Sequence, residues 1–260
     1  MSASSIIKDN PFIQYLVFLA DNNLVLTQRN GEWCAHGPVL EQDIAITNIT
    51  LDLVGQARLL YQYAAEKINE IDPSANATED SLAYLRTERE FTNVLLLELP
   101  KGDWAVTILR QFFYSTYQSL IYTTLLQSQD RHLAAIAEKS LKEIRYHIRW
   151  SSEWVTRLGD GTEESHYRIN KAVDQLWMYT GELFNPAAFE HKEVTGFDLT
   201  PLADLWLEQV TVVFNEAALK VPAAGTFMQS GGKSGNHTEH LGFMLAEMQY
   251  LQRSYPEAEW

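Results

Sequence analysis

The sequence predicts an all-α fold: an antiparallel bundle of long helices, with additional helices toward the C-terminus, in a single domain over residues 1–260. Three observations carry that expectation. Glycine and proline are scarce, thirteen and eight in 260 residues, and they cluster between long uninterrupted stretches. Within those stretches, residues of one character recur at three- and four-residue steps, the period of a helix with one buried face. Hydrophobic residues make up 46% of the chain and aromatics 12%, enough to fill a large core and to exclude intrinsic disorder.

Eight helices follow from the punctuation. The first spans about Pro11 to Gln28 and stops at the Gly31, Gly37 and Pro38 break. The second runs from about Leu40 to Glu70, where Ala45, Asn48, Asp52, Gly55 and Leu59 share a face, and ends before Pro73. The third covers about Glu79 to Leu99, ahead of Pro100-Lys101-Gly102, and the fourth about Asp103 to Gln127. The fifth begins near Arg131 and ends at Gly159-Asp160-Gly161, with Ile136, Ser140, Glu143, His147, Trp150 and Trp154 on one face. The sixth extends from Glu163 to Leu183. Thr200-Pro201 opens the seventh as N-cap and first helical residue. A glycine-rich connector, Gly225 to Gly235, leads to the last, where Asn236 and Glu239 have capping-box spacing.

Charge narrows the function classes. Twenty basic against 34 acidic residues give a net charge of −14, which repels phosphate backbones and anionic membrane surfaces, so neither nucleic acid nor membrane is an expected partner. No stretch approaches the roughly 18 apolar residues of a membrane span, and residues 1–8 lack a secretory apolar region. The one cysteine, Cys34, forms no intrachain disulfide and suits a reducing cytoplasm; it reads as a structural residue, with His36 its nearest base in sequence.

Two helix faces carry residues that could do chemistry. Asp52 interrupts one stripe, and Glu143 with His147 another. Di-iron centres in bundles take a Glu from each of two helices and a Glu-x-x-His from each of two others. Here the set is incomplete. Gly55 stands three residues after Asp52, Ile144 three residues before His147, and Glu143 is one position off the motif. The first helix offers only Asp21, Asn22 and Asn23, and the fourth Ser115 and Ser119. The expectation is that this chain binds no metal, and that Asp52, Glu143 and His147 persist as a buried polar cluster. Gly231-Gly232-Lys233-Ser234-Gly235 fails as a phosphate loop because Phe227 stands where its first glycine belongs. His237 and His240 are three residues apart, not the four of a zinc helix. Trp150 and Trp154 read as core packing.

Gly31-Glu32-Trp33-Cys34, the run from Asp52 to Arg58, Arg145-Tyr146-His147 and above all the long run from Gly231 to Arg253 resemble the C-subunit family of the bacterial phenylacetyl-CoA epoxidases, over nearly the whole chain. The resemblance implies a ferritin-like fold and a role as the structural subunit in aerobic phenylacetate degradation. It implies two partners: a catalytic A subunit, which holds the di-iron centre, and a reductase subunit with flavin and an iron–sulfur cluster, fed by NADPH. No cofactor and no catalytic residue is then expected on this chain. The A subunit's ligand motifs fall on Asp52 and Gly55 and on Ile144 and His147. Self-association of the chain alone is a further expectation. The competing reading is an independent di-iron or di-manganese carboxylate oxidase.

Overall fold

The computed structural model describes residues 2–255 and 258. They form α-helices and short 3-10 turns with no strand among them, an all-α ferritin-like bundle. A short α1 (Ala3–Asp9) opens the chain, and Asn10 both ends it and caps α2 (Pro11–Gly31), its Oδ1 accepting from the amides of Phe12 and Ile13. α3 (Leu40–Ile71) runs back along α2. After α4 (Glu79–Tyr84) and α5 (Leu95–Glu98), α6 (Trp104–Leu125) and α7 (Arg131–Gly159) form the second long pair. Asp103 and Asp130 cap these two, each accepting an amide of the first turn. α8 (Glu163–Leu176) packs on α6 and α7. α9 (Lys192–Thr195), α10 (Leu202–Glu216), α11 (Glu239–Met248) and α12 (Tyr250–Ser254) complete the shell.

The core is one contiguous cluster reaching from Ile6 to Leu245, because each long helix buries the stripe its spacing dictates. On α7 that stripe is Leu133, Ile136, Ala137, Ser140, Leu141, Ile144, His147 and Ser151. α2 is buried on nearly every side, since α3, α5 and the turns near Glu190 surround it.

Four expectations about elements fail. The third helix does not exist as one: residues 79–99 form two short helices joined by a turn and an extended stretch at Phe91 to Val94. The sixth stops at Leu176 and continues as 3-10 turns. Pro201, not Thr200, precedes the first residue of α10, and the cap of α11 is Thr238 rather than Asn236. α1 has too few residues for its periodicity to register in sequence.

Candidate functional site

α3 and α7 run antiparallel, and their facing polar residues meet as two rungs. The His147 imidazole is fully buried, and its Nε2 lies 3.0 Å from Asp52 Oδ2. One turn away, Gln56 Nε2 donates to Glu143 Oε2 at 2.9 Å. Asp52 and Glu143 sit at the seam's half-buried edge, where water reaches their remaining lone pairs.

From Gln56 the network crosses the bundle. Gln118 Nε2 on α6 donates to Gln56 Oε1 at 2.9 Å and to Asn23 Oδ1 on α2 at 2.8 Å. Tyr114 OH donates to the same Asn23 oxygen at 3.1 Å, and Asn23 Nδ2 donates to Tyr122 OH at 3.4 Å. Burial pushes the Tyr122 phenol up to about 12, so it serves as a neutral donor and acceptor. All four long helices thus send a side chain to one place: three amides and, from α7, Glu143.

The structure splits the positions carried over from the resemblance. Asp52 and His147 come together; Ile144 is buried apolar core; Gly55 faces outward with nothing near it. The set does not fit a di-metal centre. It offers a single imidazole, with Nε2 on Asp52 and Nδ1 buried without a partner, its second carboxylate is bonded to Gln56, and the bundle axis holds neutral amides where charged ligands are needed. Among the described residues no group of three or more His, Cys, Asp or Glu side chains is placed to hold an ion.

A family model described as "Phenylacetic acid catabolic protein" matches residues 3–260. The chain belongs to the phenylacetic acid catabolic protein family. It is 46% identical over 254 residues, covering 96% of this chain and 100% of the relative, to the C subunit of the 1,2-phenylacetyl-CoA epoxidase of Escherichia coli strain K12. Among the described residues no helix is long and apolar enough to cross a membrane.

In this member of the phenylacetic acid catabolic protein family, the long C-terminal run that carries the resemblance closes over the broken segment 86–98. Gly232 and Gly235 lie so near the carbonyls of Asn93 and Arg89 that a Cβ would sit 2.2 and 2.5 Å from them, and Gly235 also has a φ of +74°. Lys233 does not project like a phosphate-loop lysine. It is buried, with Nζ 2.8 Å from Glu190 Oε2 and donating to the carbonyls of Leu183 and Asn185. Burial pushes its ammonium down and the Glu190 carboxyl up, each opposed by the charge of the other. Glu182 accepts from the amides of Leu95 and Gly231, both at 2.7 Å.

His237 is held from both sides. Its Nδ1 lies 2.7 Å from Glu98 Oε2 and its Nε2 2.9 Å from the Phe91 carbonyl, so both nitrogens face acceptors and the imidazolium fits best. Burial alone would pull its pKa down; the bond and charge of Glu98 win, and the net direction is up. His240 contributes only its carbonyl, toward Arg29. A third buried pair, Asp21 with Arg86, also takes Tyr61 OH and the Thr92 amide.

Sequence reasoning passes over Gln56, Gln118, Glu98, Glu182 and Arg86. The available signal is Asp21-Asn22-Asn23: three successive polar residues inside an apolar helix require a partner on every side. Cys34 proves exposed rather than packed, and His36 contacts the Cys34 carbonyl, not its sulfur. Trp150 and Trp154 pack edge-on against Trp104, and both indoles donate to Gln42 Oε1, which is core packing as expected.

Proposed function

We propose that this chain is the non-catalytic structural subunit of a cytoplasmic phenylacetyl-CoA epoxidase, and that it docks against and stabilises a di-iron catalytic subunit of related fold. The observation that carries this reading is the outer face of α3. Leu40, Ile44, Leu51 and Val54 lie along it, 73, 52, 61 and 39% exposed. Gly55 lies beside them in mid-helix, at a cost of about 1 kcal/mol relative to alanine, and nothing within this chain uses its missing side chain. A second helix packed at close range would use both the stripe and the glycine. At the N-terminal end of the face, a cleft of about 570 Å3 opens between Cys34, Leu40, Ile44 and Thr47.

Two further points support it. The polar residues at the bundle axis are mostly bonded to one another, no metal-holding group of three or more His, Cys, Asp or Glu occurs among the described residues, and the Escherichia coli relative is itself named a subunit. In this reading the iron belongs to the catalytic subunit, and flavin, iron–sulfur cluster and NADPH to the reductase. The interface should bury on the order of 2,000 Å2 or more around an apolar centre. Co-expression with the catalytic subunit is the test. This chain should raise that subunit's thermal stability and ring-epoxidation activity, and Leu51→Glu should abolish co-purification while leaving this chain folded. A catalytic subunit equally stable and active alone, or about two irons bound per copy of this chain after anaerobic loading, would overturn the proposal.

A further inference from the structure

The geometry points to a second site on this chain: a cleft for a phosphate-type anion, built where α1, α2, the segment after α4 and the Gly231–Gly235 loop converge. The cleft holds about 170 Å3, room for a phosphoryl group. Arg86 and Lys233 form its inner wall, each fixed by a buried carboxylate of its own, Asp21 and Glu190. They therefore give the cleft rigidity and add no net charge.

The outer wall differs. Lys8 from α1 and Arg89 from the segment after α4 line it, and neither makes an ion pair or side-chain hydrogen bond with any described residue. The side chains of Gln14 and Ser234, also on the lining, are unengaged in the same sense. Glu90 is the one carboxylate at the rim, and its Oε2 is occupied by the amide and hydroxyl of Thr87, both at 2.7 Å. Lys8 and Arg89 thus exceed the single rim carboxylate by one positive charge, and with two neutral donors they face one concavity in a chain whose net charge is −14. A planar guanidinium beside an ammonium favours a tetrahedral oxyanion, which accepts from several directions at once.

The loop's own amides are not donors here, because Ser234, Gly235 and Asn236 already donate to loop carbonyls. Recognition rests on side chains, which makes it separable by substitution. The ligand class is a phosphate or phosphate ester, from either a free anion or a phosphorylated carrier such as coenzyme A.

Calorimetric titration of the full chain with pyrophosphate, coenzyme A and the phosphate-free pantetheine tests the site, with amide shifts of Arg89, Ser234 and Gly235 as the local readout. The expected result is saturable pyrophosphate binding, weakened about tenfold or more by Arg89→Ala and by Lys8→Ala, and unaffected by Lys139→Ala on α7. Both altered residues are exposed, so the fold should survive, and circular dichroism checks it. Binding of coenzyme A but not pantetheine would identify the carrier as the source; binding of pyrophosphate without coenzyme A would identify the free anion. No saturable binding up to about 10 mM, or affinities equal in wild type and both cleft variants, would overturn the site. The outcome is independent of the docking role, since the cleft is lined by no residue of α3.

Discussion

The α3–α7 seam and the segment 86–98 under its C-terminal cover are both polar regions inside the same bundle, yet they are built from different chemistry. The seam and the axis behind it use amides, phenols and one imidazole, and their two carboxylates stay at the water's edge. The covered segment uses charges that are almost wholly buried: Asp21 with Arg86, Glu98 with His237, Glu190 with Lys233, and Glu182 against two amides. The backbone explains the difference. Helices satisfy their own peptide groups, so side chains between them need only satisfy each other. Residues 91–94 are extended and, but for the half-buried Thr92, buried, and their amides and carbonyls must find partners elsewhere. Asp21 takes the Thr92 amide, Asn22 the Val94 amide, Glu182 the Leu95 amide, and His237 serves the Phe91 carbonyl. Charge appears where secondary structure is missing.

If that contrast holds, substitutions in the two regions should separate by size. The largest loss is expected for Arg86→Met, which leaves Asp21 buried beside an apolar side chain: about 3–5 kcal/mol in urea denaturation. A midpoint unchanged from wild type would erase the distinction between the regions.

His237→Gln should cost less, about 2–3 kcal/mol near pH 6, and should sharpen the contrast by its pH dependence. The folded pKa of His237 is raised above its ordinary 6.5. Its contribution is therefore fully present below about pH 6.5 and falls away as pH climbs through the higher folded value. Stability measured from pH 6 to 9 should decline in the wild type, and the slope should flatten in the variant; parallel curves would contradict the imidazolium assignment. The smallest effect should come from the seam. His147→Ala removes a buried ring but leaves Asp52 with water at hand, for a loss of about 1–3 kcal/mol. A loss as large as that of Arg86→Met would mean the seam, too, depends on buried charge.

The same contrast explains what is legible in the sequence. α2, α3, α6 and α7 announce themselves because a helix repeats, and the pairing of Asp52 with His147 follows from two stripes facing across an antiparallel seam. Residues 79–99 mislead because Leu82, Ala83, Phe91 and Val94 to Leu97 are all buried and no glycine or proline interrupts them. An apolar run enclosed on all sides carries no period that tells helix from extended chain. Asn23 and Gln118 look like bystanders because their role depends on partners some 95 residues away, which no local spacing encodes. Lys233 reads as part of an open connector, since burial of a lysine depends wholly on Glu190 being in place.

The cover over residues 86–98 also sets an order of events during synthesis. The Phe91 carbonyl waits for a histidine 146 positions later, and the Glu98 carboxylate for the same ring 139 positions later. Both long helical hairpins leave the ribosome well before that ring does. A nascent chain can therefore assemble most of its bundle while the middle segment stays unsealed, exposing apolar side chains and unmet peptide groups to whatever is nearby. Chaperone occupancy on translating ribosomes should concentrate in the interval between emergence of residue 99 and emergence of residue 241, and vanish once the final loop has threaded into place.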